Sequence, residues 1–207
     1  MFKITKNEPN FFSEAKSKVK LPLISNVWDS LEIKNIRPKL REYILLEEQN
    51  LLCAYCEKEI NDNPRNSNID HFRLKAGHLF PEKTLDYNNL LVSCNTKSRC
   101  SDYKDKHIKS KKDYDNIINP VMENPDDFFD YLLNGKIVPK NNNEKAKFTI
   151  YIFQLNQEGL NEQRINIVRA IENTNLSLNE ILEIFNEFHS FIKAIYPKLK
   201  SKGIKIQ

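Results

Sequence analysis

The four cysteines of the chain enclose one segment, which reads Cys53-Ala54-Tyr55-Cys56, then Ile69-Asp70-His71-Phe72, then Asn89-Leu90, and ends with Cys94, Cys100 and Lys104. In a protein without a secretory signal, two cysteine pairs in this pattern bind metal more often than they form disulfides. A Cys-x-x-Cys turn brings two sulfur atoms to one ion, and a second pair completes a tetrahedral site. The sequence therefore predicts one structural Zn2+ held by Cys53, Cys56, Cys94 and Cys100.

The spacing of the second pair leaves alternatives open. Five residues separate Cys94 from Cys100, whereas two separate Cys53 from Cys56. Cys53 and Cys56 are also compatible with buried apolar thiols, since free cysteines commonly pack in protein cores, or with a redox pair. A redox motif does not account for Cys94 and Cys100, so the zinc interpretation is preferred.

Asp70 and His71 lie between the two cysteine pairs and offer two kinds of chemistry. The Asp70 carboxylate is a hard oxygen ligand that suits Mg2+ or Mn2+, whereas a neutral His71 imidazole can deprotonate water. If the segment is extended, the two side chains point to opposite faces. Phosphodiester hydrolysis needs both groups, because a cation neutralises the phosphate while a base activates the nucleophile. The dipeptide is a weak signal alone, and its position between the cysteines strengthens it.

The order of these motifs resembles the ββα-metal, or HNH, endonuclease motif. It runs CAYC, IDHF, NNLLVSC and CSDYK, over residues 53–56, 69–72, 88–94 and 100–104. More closely, the chain resembles the HNH nuclease subunits of Septu and retron-associated anti-phage systems across most of residues 37–165. The resemblance implies an α+β fold, in which a small ββα-metal core with a four-cysteine zinc site is embedded in a mostly helical domain. It also implies an ABC-type ATPase partner.

Residue by residue, the resemblance implies a role for three side chains. His71 matches the first motif histidine, the general base. Asp70 beside it matches a ligand of the catalytic Mg2+ or Mn2+. Asn89 matches the central asparagine, which in HNH proteins usually braces the loop through backbone hydrogen bonds.

The chain departs from the HNH pattern at Ser101, three residues before Lys104. The family normally has His or Asn there, and that residue completes metal binding. Asp102, one residue later, or His107, further along the predicted helix, can supply the missing ligand. Asp102 is preferred because oxygen ligands suit Mg2+. If neither residue reaches the metal, the site is weak or needs a partner to assemble.

The charge distribution predicts a nucleic-acid-binding surface beside these motifs. The net charge of +4 alone does not identify such a protein, but residues 97–112 contain seven basic and two acidic residues. Phosphate backbones attract basic clusters through counterion release. The alternative is a solvated helix face. The residues predicted to contact DNA, or RNA as the alternative substrate, are Lys97, Arg99, Lys104, Lys106 and Lys109.

Length and composition predict a globular protein. The 207 residues are 40% hydrophobic, which is enough to fill a core. No apolar run approaches the roughly 20 residues of a membrane span, and the start MFKITKNEPN lacks the apolar region of a secretory signal. We therefore expect a cytoplasmic location and no membrane partner.

The chain is divided into three predicted regions: an N-terminal helical region (1–52), the ββα-metal nuclease core (53–112) and a C-terminal helical region (113–207). In the first, Pro38 is expected in the first turn of a helix that leads to Cys53. A capping box of Ser177 and Glu180 is expected to start the last helix. The helices predicted after the cysteine turn are about Ser101 to Lys112, Asp126 to Leu133, Glu158 to Glu172 and Leu178 to Tyr196.

Three classes of function follow from these features. The first is a metal-dependent endonuclease that acts as the effector of an anti-phage defence system and is controlled by an ATPase partner. The second is a restriction-type HNH nuclease that acts alone. The third is a noncatalytic zinc-binding module for nucleic acid or protein, in which the substitution at Ser101 has removed catalysis.

Overall fold

The computed structural model describes residues 1–20, 26–75, 79–172 and 174–201, which contain seven α-helices and four short strands. The helices are α1 (Asn10–Lys18), α2 (Leu31–Tyr43), α3 (Cys100–His107), α4 (Glu144–Ile152), α5 (Glu158–Glu172), α6 (Leu178–Ile184) and α7 (His189–Ser201). The strands are β1 (Ser67–His71), β2 (Leu90–Cys94), β3 (Phe129–Tyr131) and β4 (Ile137–Pro139). The predicted α+β class, with more helix than strand, is confirmed.

Strands β1 and β2 pair antiparallel and lead directly into α3, which gives the local order strand, strand, helix. Ser67 lies opposite Cys94, and His71 lies opposite Leu90 at the other end of the pair. Every residue of β2 is buried. The side chain of Gln49 continues the sheet at its free edge, because it accepts a hydrogen bond from the Val92 amide and donates one to the Val92 carbonyl, both at 2.8 Å. The hairpin is therefore covered on its edge and on its faces.

Helix α2 begins seven residues before Pro38, so the prediction that Pro38 lies in its first turn is wrong. Ile33, Leu40 and Ile44 recur at helical spacing and are all 0% exposed. A proline inside a helix costs about 3 kcal/mol, whereas burying each of these side chains contributes about 1.5–3 kcal/mol. Burial of the apolar face therefore outweighs the backbone hydrogen bond that Pro38 cannot make. The helix continues into a π-helical turn, Ile44–Glu48.

The helix predicted from Asp126 to Leu133 is also wrong. Asn124 caps only a short 3₁₀ turn, Pro125–Asp127, and the chain then forms the hairpin of β3 and β4. Gly135 in the connecting turn has φ of +79°, which favours glycine. A Cβ atom at this position would lie 2.3 Å from the carbonyl oxygen of Asn161 in α5. The turn and α5 can approach this closely only because residue 135 has no side chain.

The described residues from 158 to 201 contain three helices, α5, α6 and α7, where two were predicted. The boundaries of α5 are those expected, and the capping box of Ser177 and Glu180 is present at the start of α6. The segment predicted as one helix to Tyr196 is interrupted by Phe188, which has φ of +58° and is 1% exposed. The amide of Phe188 donates a 3.0 Å hydrogen bond to the carbonyl of Glu57, next to Cys56. This contact with a distant segment replaces the helical hydrogen bond.

The predicted helix from Ser101 to Lys112 is shorter than expected. Helix α3 ends at His107, and a 3₁₀ helix, Lys111–Asn116, follows after a capping box formed by Ser110 and Asp113. The Asp113 carboxylate accepts hydrogen bonds from the amides of Lys109 and Ser110, which turns the chain away from the axis of α3. The basic segment is therefore divided between two elements.

Buried apolar side chains from all three predicted regions belong to one cluster. The N-terminal segment is tied to the hairpin by Lys6, whose ammonium lies 2.5 Å from Glu48 and 2.8 Å from the Leu90 carbonyl. The boundaries at 52 and 112 remain a prediction. None of the helices in the described ranges combines the length and the apolar content that a membrane span requires.

The two glycines of the hairpin turn and of α5 provide a test of this packing. Gly135→Ala is expected to lower the free energy of unfolding by about 1–3 kcal/mol, because it adds a left-handed backbone strain and a clash with Asn161. Gly159→Ala, in α5 with no atom within 4 Å of the added methyl group, is the matched control and should raise stability by about 0.5 kcal/mol. Urea unfolding of both variants measures the difference, and equal effects would contradict the packing described.

Candidate metal and catalytic site

The four cysteines converge on one point, as predicted. All are buried, and their sulfur atoms lie within 4.8 Å of one another. The Sγ atoms of Cys53 and Cys100 are 3.8 Å apart, and those of Cys56 and Cys94 are 3.9 Å apart. Four sulfurs around Zn2+ at about 2.3 Å would be about 3.8 Å from each other in a tetrahedron. The cluster can therefore hold a metal ion, and its dimensions fit a closed four-thiolate site.

Three elements deliver these sulfurs. Cys53 and Cys56 lie in a tight turn closed by the 2.9 Å hydrogen bond from the Cys53 amide to the Lys58 carbonyl. Cys94 is the last residue of β2, and its amide lies 3.3 Å from the Cys53 sulfur as a donor. Cys100 is the first residue of α3 and has φ of +53°. This strained start of the helix is the position that turns the fourth sulfur toward the other three.

Burial and the hydrogen bonds between the four thiols shift their pKa values in opposite directions: the pKa is lowered at Cys53 and Cys94 and raised at Cys56 and Cys100. Hydrogen bonds from the neighbouring thiols, Cys100 first, lower the pKa of Cys94 far below its usual range. Burial alone would lower the pKa of the Arg99 guanidinium, but the nearby charges of Cys56 and Cys94 raise it above its usual value. Arg99 was predicted to contact nucleic acid. The structure places it half-buried beside the sulfurs, where it offsets part of their negative charge.

His71, at the end of β1, is 6% exposed, and its ring has one polar contact within the described part of the chain. Its Nε2 lies 3.0 Å from the carbonyl oxygen of Thr84, and its ring packs edge-on against Trp28 at 4.6 Å between centroids. Burial lowers the pKa of His71 to about 4, so the imidazole is neutral at pH 7. Because a carbonyl oxygen only accepts, Nε2 carries the proton, which leaves Nδ1 as the basic atom.

Trp28 is itself held in place over His71. The Arg37 guanidinium stacks on the indole at 4.8 Å, donates to the Trp28 carbonyl and pairs with Asp29 at 2.5 Å. The residues that surround His71 thus come from the N-terminal region as well as from the predicted nuclease core. No sequence pattern indicated Trp28, because its contact with His71 depends on the fold alone.

Asp70 points to the other side of the strand, toward α3, as expected for consecutive residues of an extended segment. Its carboxylate accepts a hydrogen bond from the Tyr55 hydroxyl, in the turn between Cys53 and Cys56. The ammonium of Lys104 lies 3.1 Å from both of its oxygens. Asp70 is therefore 3% exposed but fully partnered. The residue that was predicted to hold a catalytic metal is also the link between the cysteine turn and α3.

Lys104 does not lie where the sequence led us to expect. It was predicted to contact nucleic acid, but it is 0% exposed and its ammonium points into the protein. Burial alone would lower its pKa, but the carboxylates of Asp70 and Asp105 raise it above the usual value. The amphipathic spacing of α3 could have indicated this, since Lys104 follows Cys100 by one helical turn and so shares its buried face.

The remaining predicted nucleic-acid contacts are on the surface. Lys97, Lys106 and Lys109 are exposed. Lys106 pairs with Asp102 at 2.6 Å, and the Lys109 ammonium donates to the Lys106 carbonyl at 2.7 Å. Their role in binding remains a prediction.

Asn89 makes the contacts that the HNH resemblance implies. Its side-chain oxygen accepts a 2.7 Å hydrogen bond from the Arg73 amide, and its amide nitrogen donates to the carbonyls of Arg73 and Lys83 at 3.0 Å. Asn89 is 5% exposed, so these bonds fix both ends of the loop between β1 and β2. A cleft of about 300 Å³ lies beside it, lined by Arg73, Lys83, Asp86, Asn88, Asn119 and Met122.

The structure does not bring Asp102 or His107 to Asp70. Asp102 pairs with Lys106, while His107 stacks on Tyr103 at 3.7 Å and contacts the Tyr103 carbonyl through Nδ1. Ser101 is buried, and its hydroxyl lies 3.5 Å from the Asn68 side chain. Among the residues that the structure describes, the four cysteines are the one group of three or more potential ligands close enough to share an ion.

Asp105 is the carboxylate that sequence reasoning missed. It lies 2.9 Å from the Lys104 ammonium, which it shares with Asp70. Partial desolvation, followed by the charge of Asp70, raises the pKa of Asp105 to about 6, although 39% of its side chain is exposed. Asp105 follows Ser101 by four residues, so helical periodicity places both residues on one face of α3. This spacing could have indicated Asp105 from the sequence. His78, which was considered near the cleft, lies outside the described residues.

The molecule is thus an α+β protein. Its four-cysteine cluster joins an antiparallel strand pair to the start of a helix, and an Asp-His pair lies at the end of the first strand. No family model matches the chain. Among curated proteins, it is 29% identical to the Septu protein PtuB of Bacillus thuringiensis, over 87% of this chain and 64% of that protein. This similarity to PtuB extends over most of the chain, in agreement with the resemblance that its motifs indicated. The chain spans less than two thirds of the length of that relative.

The cysteine cluster predicts both a metal stoichiometry and a dependence of folding on metal. Elemental analysis of the wild type should give one Zn2+ per chain. Cys53→Ser should lose that ion and should no longer unfold in a cooperative transition. The apparent free energy of zinc binding in such sites is about 10–16 kcal/mol, as large as the stability of a whole domain. Ser98→Ala, exposed between Cys94 and Cys100, is the control and should keep both. A folded, zinc-free Cys53→Ser would contradict this reading.

Burial of neutral His71 predicts that stability depends on pH. Its pKa is about 4 in the folded chain against an ordinary 6.5, so the unfolded chain binds more protons between these values. The contribution is complete above about pH 6.5 and is lost as pH falls toward 4; it amounts to about 3 kcal/mol. Urea unfolding at pH 7.5 and 4.5 should show a larger loss for wild type than for His71→Gln, which shares all other titrating groups. Equal losses would show that His71 is not buried in the neutral form.

Proposed function

We propose that this protein is a metal-dependent HNH endonuclease that cleaves nucleic acid as the effector of an anti-phage defence system. The observation that carries the proposal is His71, a neutral imidazole fixed through Nε2 by the Thr84 carbonyl at the end of a strand pair enclosed by four cysteines. A general base needs this state, because it must be unprotonated at working pH and oriented before the substrate arrives.

The proposed roles follow from the two sides of strand β1. His71 accepts a proton at Nδ1 from the water that attacks the phosphorus, with its other nitrogen held by Thr84. Asp70 and Asp105 would hold Mg2+ or Mn2+, since hard cations prefer carboxylate oxygens, and each carboxylate has lone pairs beyond those used by Lys104. Such an ion, when bound, neutralises charge on the scissile phosphate. The zinc held by the four cysteines is structural in this scheme.

DNA is the preferred substrate in this proposal, and RNA is the alternative. The exposed lysines at positions 97, 106 and 109 lie on α3 or within three residues of it, on the segment that also contributes Lys104 to the Asp70 side. A row of exposed basic side chains next to a cleavage site favours a polyanionic substrate, and the attraction should weaken as salt is added. These positions do not distinguish the two nucleic acids.

Similarity to the Septu protein PtuB supports a role in defence and a partner. We propose an ABC-type ATPase as that partner, because the family that the motifs resemble works beside one. A free nuclease endangers its own cell, so control by a partner also fits the covered position of His71 under Trp28. A stand-alone restriction-type nuclease is the alternative within this class.

One observation favours a noncatalytic zinc module as a second candidate. Ser101 replaces the usual third ligand, and neither Asp102 nor His107 reaches Asp70 in the described structure. The ammonium of Lys104 already sits against both carboxylates at this position. A chain that has lost its catalytic metal would keep the cysteine cluster and the basic surface and would bind nucleic acid without cutting it.

A cleavage assay separates these candidates. Purified wild type is incubated with plasmid DNA or total RNA, in the presence of Mg2+, Mn2+ or EDTA. We expect cleavage that depends on the metal ion. If the ATPase encoded beside the protein controls its activity, cleavage should require that partner. His71→Ala should lose at least about 100-fold in rate, because general-base catalysis contributes about 10²–10⁴-fold. Zinc content should stay near wild type, and the variant should remain folded at the assay temperature.

His189→Ala is the matched control for this substitution. His189 begins α7, and its Nε2 contacts the Phe185 carbonyl at 2.8 Å, a geometry similar to that of His71 but far along the chain. The variant should cleave like wild type. Cleavage retained in His71→Ala would remove the proposed mechanism, whereas binding without cleavage by wild type in every condition would favour the zinc module.

A further inference from the structure

Lys104 is the most enclosed charged side chain near the proposed catalytic residues. Its side chain is 0% exposed, and the ammonium has four polar neighbours. It lies 2.8 Å from the His71 carbonyl, 3.1 Å from the Phe72 carbonyl, 3.1 Å from Asp70 and 2.9 Å from Asp105. A lysine that bound substrate would need an accessible ammonium. This one has its donors directed at the protein, so its function concerns the protein's own geometry.

The acceptors of Lys104 lie where the strand pair ends. His71 and Leu90 are the last paired residues of β1 and β2. Beyond that point, backbone carbonyls no longer have a ladder partner, and a buried carbonyl without a donor is costly. Lys104 supplies the donor for the carbonyls of His71 and Phe72. The end of β1 is thereby attached to α3 through one side chain.

His71 is held at two points as a result. Its backbone carbonyl is bound by Lys104, and its ring nitrogen Nε2 is bound to the Thr84 carbonyl on the opposite side. The two bonds together restrict both the position of the residue along the strand and the rotation of the ring. We infer that Lys104 is a positioning residue for the general base: it does not touch the substrate, and it sets where Nδ1 of His71 points.

The same ammonium orders Asp70. Lys104 contacts both Asp70 oxygens while the Tyr55 hydroxyl holds Oδ2. Residues from the cysteine turn and from helix α3 thus meet at the Asp70 carboxylate on strand β1. Removing the ammonium would leave a carboxylate and two carbonyls buried without their donor, and the end of β1 would relax toward other partners. A shift of about 1 Å at a reacting group is enough to reduce a rate by about 100-fold.

The inference rests on the proposed nuclease function, and the experiment separates the two. Single-turnover cleavage at saturating nucleic acid gives the rate of the chemical step, and its concentration dependence gives affinity. Lys104→Met should lower the rate by about 100-fold with affinity unchanged. Lys106→Met, which changes an exposed lysine two residues further along α3 with 59% exposure, should weaken affinity. Lys34→Met, exposed on α2, should change neither.

A rescue experiment distinguishes positioning from general destabilisation. Lys104→Ala lacks the atoms of one n-propylammonium ion, so added n-propylammonium should restore part of the rate in a saturable way, whereas the same concentration of sodium chloride should not. Every variant is first checked for one bound Zn2+ and a wild-type circular dichroism spectrum. If Lys104→Met fails that check, Lys104→Gln takes its place, because it keeps one donor for the two carbonyls and lacks the charge.

The outcomes are distinct. If wild type cleaves, His71→Ala does not, and Lys104→Met keeps the wild-type rate, the positioning role is overturned while the nuclease stands. If wild type never cleaves, the proposed function fails, and the histidine ring signals in nitrogen-15 NMR still decide the role of Lys104. A shifted His71 signal in the zinc-loaded Lys104 variant, absent from Lys106→Met, supports positioning. An unchanged His71 signal overturns it.

Discussion

The convergence of four sulfur atoms is the constraint on which the rest of the molecule depends. Cys53 and Cys56 precede the strand pair, Cys94 ends it, and Cys100 begins α3, so their meeting point fixes the two ends of a segment of almost fifty residues. The strand pair itself is only five residues long on each side and would be marginal alone. With its ends fixed, it can present Asp70 to one side and His71 to the other.

The molecule has to satisfy opposing demands at His71. Burial against Trp28 keeps the imidazole neutral, and the bond to Thr84 orients it, which favours proton transfer. The same burial limits the access of water and of a phosphate. In the proposed nuclease, His71 would therefore have the charge and orientation of a general base, and cleavage would need a change in the residues that cover it. This combination would suit a nuclease whose activity is restrained.

Much of this arrangement follows from the sequence where the determinants are local. The cysteine cluster, the limits of α5 and the cap of α6 were correctly predicted, because spacing, apolar periodicity and capping chemistry act over a few residues. The hairpin of β3 and β4 was not predicted. Asn124, Pro125 and the two acidic residues that follow favour the start of a helix, but they do not determine whether the helix continues. The long helix to Tyr196 failed at Phe188, whose hydrogen bond to Glu57 spans more than a hundred residues of sequence. Lys104 was assigned to the surface by its charge, although its spacing from Cys100 places it on the buried face of α3. Its partners Asp70, His71 and Phe72 lie more than thirty residues away, and no local pattern predicts those contacts.

Glu57 gives the cysteine turn a mechanical consequence for the far end of the chain. Its carbonyl accepts the amide of Phe188 and its buried carboxylate accepts the amide of Ser190 at 2.9 Å, so the first turn of α7 hangs from the residue after Cys56. The start of α7 is therefore attached to the cysteine turn by two hydrogen bonds, in addition to its apolar packing in the core. The cysteine turn thus connects the sulfur cluster to α7, so a displacement of α7 would change the geometry of the cluster.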